Sequence, residues 1–220
     1  MIISHKYKFI YLKGHKVAGS SLSLALGKFC GSNDSVNLPG KKTDKWSEEE
    51  WGKSRNEIKG LHREDIPKNI KEKIGEHTWN EYIKVTVVRH PWDLMVSSFF
   101  WDKRKQNIDR KNLKDDFNIW INKESSWTRG MNRNIKICIS KDGDLLLDHY
   151  IKFENLQQSY VQFCNKIGIP SIVLPSLKTK IRSNVSKDNY DYFYTKESKL
   201  IVQERAKLYI EKFGYEFGDL

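Results

Sequence analysis

The stretch K-G-H-K-V-A-G-S-S-L at residues 13–22 carries residue types that hold a phosphate: two glycines, two serines and two lysines flanking Gly14 and His15. Small residues let backbone N–H groups approach an anion closely, and the first turn of a following helix adds donors of its own. A nucleoside-triphosphate loop has the form G-x-x-x-x-G-K-[ST]. Gly14 and Gly19 keep that glycine spacing, but Ser20 stands where the lysine belongs, and the lysine lies three residues before the second glycine, at Lys16. The pattern predicts a cradle for a phosphate-bearing donor rather than for a nucleoside-triphosphate γ-phosphate. A metal-bridged triphosphate would want carboxylates near the loop, and residues 7–30 contain none.

A second candidate begins at Arg89, which directly follows the β-branched run Tyr82–Val88, with Ser97 and Ser98 eight and nine residues on. An arginine fork with a hydroxyl nearby suits a second, separate phosphate. The same arginine could instead pair with Asp93 and cap the helix that starts at Pro91. Both readings stand on these residues alone.

Both candidates need a strand in front and a helix behind. Tyr7–Leu12 precedes the first loop, and Leu22, Ala25, Leu26 and Phe29 after it recur at the spacing of one helical face. Tyr82–Val88 reads as a buried central strand, and the helix after Pro91 carries Met95, Val96, Phe99 and Phe100. Further helices are predicted at 64–74 (apolar stripe Ile66, Ile70, Ile74), around Phe117–Ile121, over Leu156–Ile167 with Gly168 as its stop, and over 196–212. Tyr150–Phe153 reads as a short strand, Ser47-x-x-Glu50 as a capping box, and 124–148 and 169–194 carry no clear pattern. Strands alternating with helices predict a single α/β domain over 1–220, with a central, mostly parallel sheet flanked by helices. In such sheets ligands bind beyond the carboxyl ends of the strands, so both junctions can face one crevice.

The pair K-V-A-G-S-S-L and V-V-R-H-P-W-D-L-M-V-S-S resembles the donor-binding motifs of sulfotransferases that use 3′-phosphoadenosine 5′-phosphosulfate. W-N-E-Y-I-K-V-T-V-V-R-H-P-W-D, Y-I-K-F-E-N-L at 150–156 and the closing F-G-Y-E-F are similar to the carbohydrate-type branch, including the uronyl 2-O-sulfotransferases. The resemblance spans residues 7–217 with 31–58 and 103–147 unmatched, and it implies a P-loop-like three-layer sandwich. It implies that Lys16 contacts the leaving oxygen. Ala18, Gly19, Ser20, Ser21 and Leu22 would bind the 5′-phosphate, and Arg89 and Ser97 the 3′-phosphate. The product would be adenosine 3′,5′-bisphosphate, and no metal is required. The chain departs from the motifs P-K-T-x-G-[ST]-[ST] and R-x-P-x-x-R-x-x-S at His15, Val17 and Leu94.

An alcohol acceptor needs a general base, and His62 in K-G-L-H-R-E-D-I is the candidate, since an ordinary histidine can take a proton near neutrality. A histidine stands in a similar place in the uronyl branch; a surface helix-cap histidine is the competing reading, and Glu64 is the second candidate base. His15 is expected to shape the loop, and His77 and His90 to be structural. Lys178, Lys180 and Arg182 follow Pro175 in an irregular segment; by the resemblance Arg182 is a donor contact, while from its residues the segment reads equally as a solvated loop. Trp46, Trp51, Trp101 and Trp127 could stack on adenine or a sugar but more commonly pack in cores.

Composition bounds the alternatives. The formal charge of +11 on 220 residues calls for an anionic partner or a solvated basic surface. It is spread along the chain, which favours a basic cleft over nucleic-acid binding. Cys30, Cys138 and Cys164 are odd in number and lack C-x-x-C spacing, and the six histidines lack metal-ligand spacing. No apolar leader or membrane-length run is seen, so the expectation is a cytoplasmic protein whose membrane contact, if any, is peripheral. The expected partner is a small-molecule or carbohydrate acceptor; oligomeric state has no signal. The rival readings are a P-loop-type kinase for a small metabolite and a basic nucleic-acid-binding module.

Overall fold

In a computed structural model of the chain the described residues are 1–38, 52–62, 65–104, 110–128, 130–177 and 189–219. Strands β1 (Ile2–Ser4), β2 (Phe9–Tyr11), β3 (Ser35–Val36), β4 (Ile83–Val88) and β5 (His149–Lys152) form one sheet in the order β3-β1-β2-β4-β5. The β2–β4 and β4–β5 pairs are parallel, with Tyr11 opposite Val85 and Val87 opposite Ile151. The β1–β2 and β1–β3 pairs are antiparallel. The sheet is therefore mixed rather than mostly parallel. The antiparallel half comes from Met1–Tyr11, which folds as a hairpin, and a three-residue strand is too short to show a period.

The parallel half positions the site. β2 and β4 are neighbours pointing the same way, so the chain leaves both at one edge of the sheet. Leu12 N–H donates to the Val85 carbonyl at 2.9 Å, and the Thr86 hydroxyl donates to the Leu12 carbonyl at 2.8 Å, which fixes the start of the first loop against the second strand. β4 is buried along nearly its whole length, including Lys84, whose ammonium pairs with Asp148 at 2.8 Å.

Helix α1 (Gly19–Gly27) follows the first loop and differs from expectation: all nine residues are buried, not one face. Its serines are accommodated because Ser23 returns its hydroxyl to the Gly19 carbonyl at 2.7 Å. A Cβ on Gly27 would stand 2.9 Å from Leu38 and 3.2 Å from Val36, so only glycine lets the helix approach β3 this closely. Next come α2 (Pro67–Ile74), α3 (Glu76–Glu81) and α4 (Pro91–Lys103), the last opening at Pro91 as expected. After α5 (Leu113–Ile121), the patternless stretch holds two helices, α6 (Glu124–Thr128) and α7 (Met131–Cys138). α8 (Leu156–Ile167) stops at Gly168, and the expected last helix is two, α9 (Lys196–Arg205) and α10 (Lys207–Phe213), parted at Ala206. The Ser47–Glu50 capping box, Trp46 and Trp51 lie outside the described residues.

Aromatic rings fill much of the core. Phe99, Phe117, Phe193 and Tyr194 are among those meeting edge to face, at 5.0–5.9 Å between neighbouring centroids. Cys138 and Cys164 are buried thiols, and burial pushes the partly buried Cys30 thiol up to about 12.

One buried carboxylate ties the hairpin to the α1–β3 connection. Asp34 accepts from the Ser4 hydroxyl (2.8 Å) and from the N–H groups of His5 (2.7 Å), Lys6 (3.1 Å) and Gly31 (2.8 Å). Burial alone would raise its pKa, but these donors together hold it below the usual carboxylate value of 3.8. A group held low in the fold binds its proton first in the unfolded chain, so stability rises with pH across that window. Asp34→Ala should cost about 2–3 kcal/mol near neutral pH, since it strands several donors. The gap from wild type should close as pH falls below the ordinary carboxylate value, read from urea unfolding at pH 7 and at roughly pH 3.

Candidate functional site

The loop after β2 is built from strained backbone. Lys16 has φ +56° and Ala18 has φ +55°, both left-handed conformations at residues with a Cβ. Each costs about 1–2 kcal/mol relative to ordinary backbone. Left-handed residues alternating with others turn successive N–H groups toward one concave side, the geometry of an anion nest. Ala18 is the N-cap of α1 and supplies no side-chain cap, and α1 carries no acidic residue in its first turn. The first-turn donors of Gly19, Ser20 and Ser21 thus face a position suited to an anion.

Side chains from distant parts of the chain hold the loop's carbonyls. Arg133 Nη2 donates to the Lys13 carbonyl at 2.7 Å. Asn134 engages one residue twice: its Nδ2 donates to the His15 carbonyl at 3.0 Å and its Oδ1 accepts the His15 N–H at 2.8 Å. Arg89 Nη1 donates to the Lys16 carbonyl at 2.6 Å.

That last bond joins the two motifs. Arg89 leaves β4 with its side chain 11% exposed. Its Nε and Nη2 donate to Asp93 Oδ2 at 2.8 and 2.5 Å, and its guanidinium carbon lies 3.9 Å from the centre of the Phe153 ring. Its backbone N–H donates to the Tyr209 hydroxyl at 3.0 Å. A guanidinium has five N–H donors; three are engaged in the described bonds. Two are left for an anion, so pairing with Asp93 and receiving a phosphate are compatible. Glu154 steadies the same turn by accepting the His90 N–H at 2.6 Å.

The Lys16 ammonium lies 4.4 Å from the Trp101 ring centre, and the Arg104 guanidinium carbon is 4.0 Å from the same ring. Ser97 is partly exposed on α4. Its neighbour Ser98 is 2% exposed, and its hydroxyl has no partner among the described residues. A Cβ on Gly130 would sit 3.4 Å from that hydroxyl and 3.7 Å from the His15 ring edge, so the start of α7 closes directly over the loop.

His90 is structural in its contacts. It is fully buried, its Nε2–H donates to the Glu216 carbonyl at 2.8 Å, and burial lowers its pKa from the usual 6.5. His62 lies elsewhere in character: it is exposed in the turn before α2, where its N–H donates to Asp65 Oδ2 at 2.6 Å. Among the described residues no hydrogen bond or ion pair joins its ring to the loop. Glu64, Lys178, Lys180 and Arg182 lie outside the described residues. The structure thus brings together Lys16, Ala18, Gly19, Ser20, Ser21, Leu22 and Arg89. Sequence reasoning missed Arg133, Asn134 and the contact of Trp101 with Lys16; the run N-R-N at 132–134 was visible, but nothing in its spacing pointed to a loop 119 residues earlier.

Among the described residues there is no group of three or more His, Cys, Asp or Glu side chains placed to hold a metal ion. Nor is any helix among them long and apolar enough to cross a membrane. The family model described as Sulfotransferase family matches residues 1–213. No curated protein and no solved structure matches.

Proposed function

The chain belongs to the sulfotransferase family, and from that premise we propose that it moves a sulfuryl group from 3′-phosphoadenosine 5′-phosphosulfate to a hydroxyl, on a carbohydrate acceptor, within a P-loop-like three-layer fold. The observation that carries this reading is the 2.6 Å bond from Arg89 to the Lys16 carbonyl. It holds the loop after β2 against the end of β4, which supports two neighbouring anion sites for one doubly phosphorylated adenosine. The left-handed Lys16 and Ala18 and the uncapped start of α1 fit the 5′ end of such a donor. The two remaining N–H groups of Arg89, with Ser97, fit its 3′-phosphate. The carbohydrate acceptor rests on the similarity of residues 79–93 and 150–156 to that branch.

On this reading the protein's work is placement and charge stabilisation. The backbone donors of Ala18 to Leu22 orient the phosphosulfate. His62, or Glu64, takes the proton from the acceptor hydroxyl as its oxygen bonds to sulfur. The bond from sulfur to the phosphate oxygen breaks, and the Lys16 ammonium stabilises the negative charge left there.

Calorimetry should show adenosine 3′,5′-bisphosphate binding without magnesium, and ATP and oligonucleotides binding far more weakly. His62→Ala should leave that affinity intact and lower turnover by about 100-fold or more, the usual scale for a general base. A preference for magnesium-ATP would replace the reading with a kinase. Binding to any oligonucleotide that falls steeply with salt would replace it with a nucleic-acid module. Unchanged turnover would remove His62 from the chemistry.

A further inference from the structure

We propose that Asn134 is a positioning residue for sulfuryl transfer, pinning the His15 peptide so that the loop's carbonyls turn inward and its N–H groups face the donor; this rests on the transferase reading above.

The need for a pin follows from the backbone. A peptide that offers its N–H to an anion must keep its carbonyl away, because a carbonyl oxygen in the cradle would repel the phosphate. The loop contains two residues at positive φ, Lys16 and Ala18, and neither is glycine. Such backbone persists only where its surroundings over-determine it. Three loop carbonyls, those of Lys13, His15 and Lys16, are each taken by a side chain from beyond the loop. Two of those side chains are arginines. Asn134 alone supplies both a donor and an acceptor, and both go to the same residue, so it resists rotation of the peptides on either side of His15. It is 2% exposed, and α7 carries it rigidly. His15 provides the N–H that this grip requires; a proline there would not.

The carboxamide packs against Gly14. A Cβ on Gly14 would come within 3.1 Å of Asn134 Oδ1 and 2.8 Å of a Val17 methyl, so the glycine is the space in which the amide lies. The hydrogen bonds from Asn134 go to the His15 backbone. Asn134 therefore acts through the loop and need not touch the donor.

The test compares the full-length wild type with Asn134→Ala and Asn134→Asp. Amide hydrogen exchange and calorimetric titration with adenosine 3′,5′-bisphosphate are the readouts. In Asn134→Ala the amides of residues 14–21 should exchange at least about tenfold faster while β4 keeps its protection, and affinity should fall by about tenfold or more, as expected when one fully buried hydrogen-bonding side chain is lost. Asn134→Asp keeps the acceptor for the His15 N–H but sets a carboxylate oxygen against the His15 carbonyl, so it should not restore protection or affinity. If Asn134→Ala does not fold, Gly14→Ala, which crowds the carboxamide from the other side, is read by the same two measurements. Unchanged loop exchange overturns the proposal, as does faster loop exchange with affinity preserved. Failure of the wild type to bind the bisphosphate would instead fell the transferase reading, and exchange alone would then decide whether Asn134 pins the loop.

Discussion

Arg89→Ala is expected to be the most damaging single substitution in the chain, lowering affinity for adenosine 3′,5′-bisphosphate by about 100-fold, the equivalent of two charge-assisted hydrogen bonds at roughly 1.5 kcal/mol each. Melting should fall as well. Asp93 is 11% exposed and would lose the guanidinium that pairs with it. Breaking a buried pair in this way costs about 3 kcal/mol or more, or roughly 10 °C in a chain of this size. The Lys16 carbonyl and the face of Phe153 would lose their contacts together. The two effects separate in Arg89→Ala/Asp93→Asn, which removes the carboxylate of the pair as well. That double variant should recover much of the melting temperature and none of the affinity. Arg89→Lys should rescue neither, because one ammonium cannot reach Asp93, the Lys16 carbonyl and a phosphate with a planar fork's geometry. Calorimetry on variants that melt above the assay temperature decides the matter, and wild-type affinity in the double variant would sink the phosphate role.

The parts of this arrangement visible in the sequence are those whose signal is local. Tyr7–Leu12 followed by small residues and an apolar helical face, and Tyr82–Val88 followed by Arg89 and Pro91, each declare a strand, a turn and a helix within about twenty residues. The adjacency of β2 and β4 then follows from how parallel sheets are built. What was hidden depends on distant partners. Ile2–Ser4 makes an antiparallel strand whose hairpin turn Asp34 gathers from 28–30 residues away, and three residues cannot advertise a period. α1 looked one-sided because Leu22, Ala25, Leu26 and Phe29 recur at the spacing of one face; its serines are buried as well, and Ser23 satisfies itself on the backbone. The choice posed for Arg89, phosphate or Asp93, dissolved once its donors could be counted. Arg133 and Asn134 sit in a segment whose residue types match any polar helix, and only the fold brings them beneath the loop.

These contacts also order the two cradles by kind. Around Arg89 the carboxylate of Asp93 and the ring of Phe153 hold a cation that is nearly buried, and the Tyr209 hydroxyl accepts from its backbone N–H. Such a group is set in place before any ligand arrives, which on the proposed reading suits the end of the donor that does not react. Lys16 is held differently. Its backbone is fixed by Arg89, while its ammonium rests on the partly exposed ring of Trp101 at 4.4 Å. An exposed cation–π contact is worth only about 0.5–1 kcal/mol.

That difference sets the expectation for Lys16→Ala. The bond from Arg89 goes to the Lys16 carbonyl, which alanine keeps, so the cradles should stay joined. Alanine at φ +56° is strained to the same degree as lysine, and the loss of the Trp101 contact is small. Melting should therefore move by no more than about 2–4 °C, the shift that 1 kcal/mol produces in a chain of this size. Affinity for adenosine 3′,5′-bisphosphate should fall by less than about tenfold, since one charge-assisted contact among many is removed. Turnover should fall by about 100- to 1000-fold, because a donor aimed at developing charge is worth most in the transition state. The pair of variants thus predicts opposite signatures: Arg89→Ala loses binding, and Lys16→Ala loses rate in a folded, donor-competent protein. Measured under saturating donor, turnover within about tenfold of wild type would remove Lys16 from the chemistry and leave it as a binding group alone.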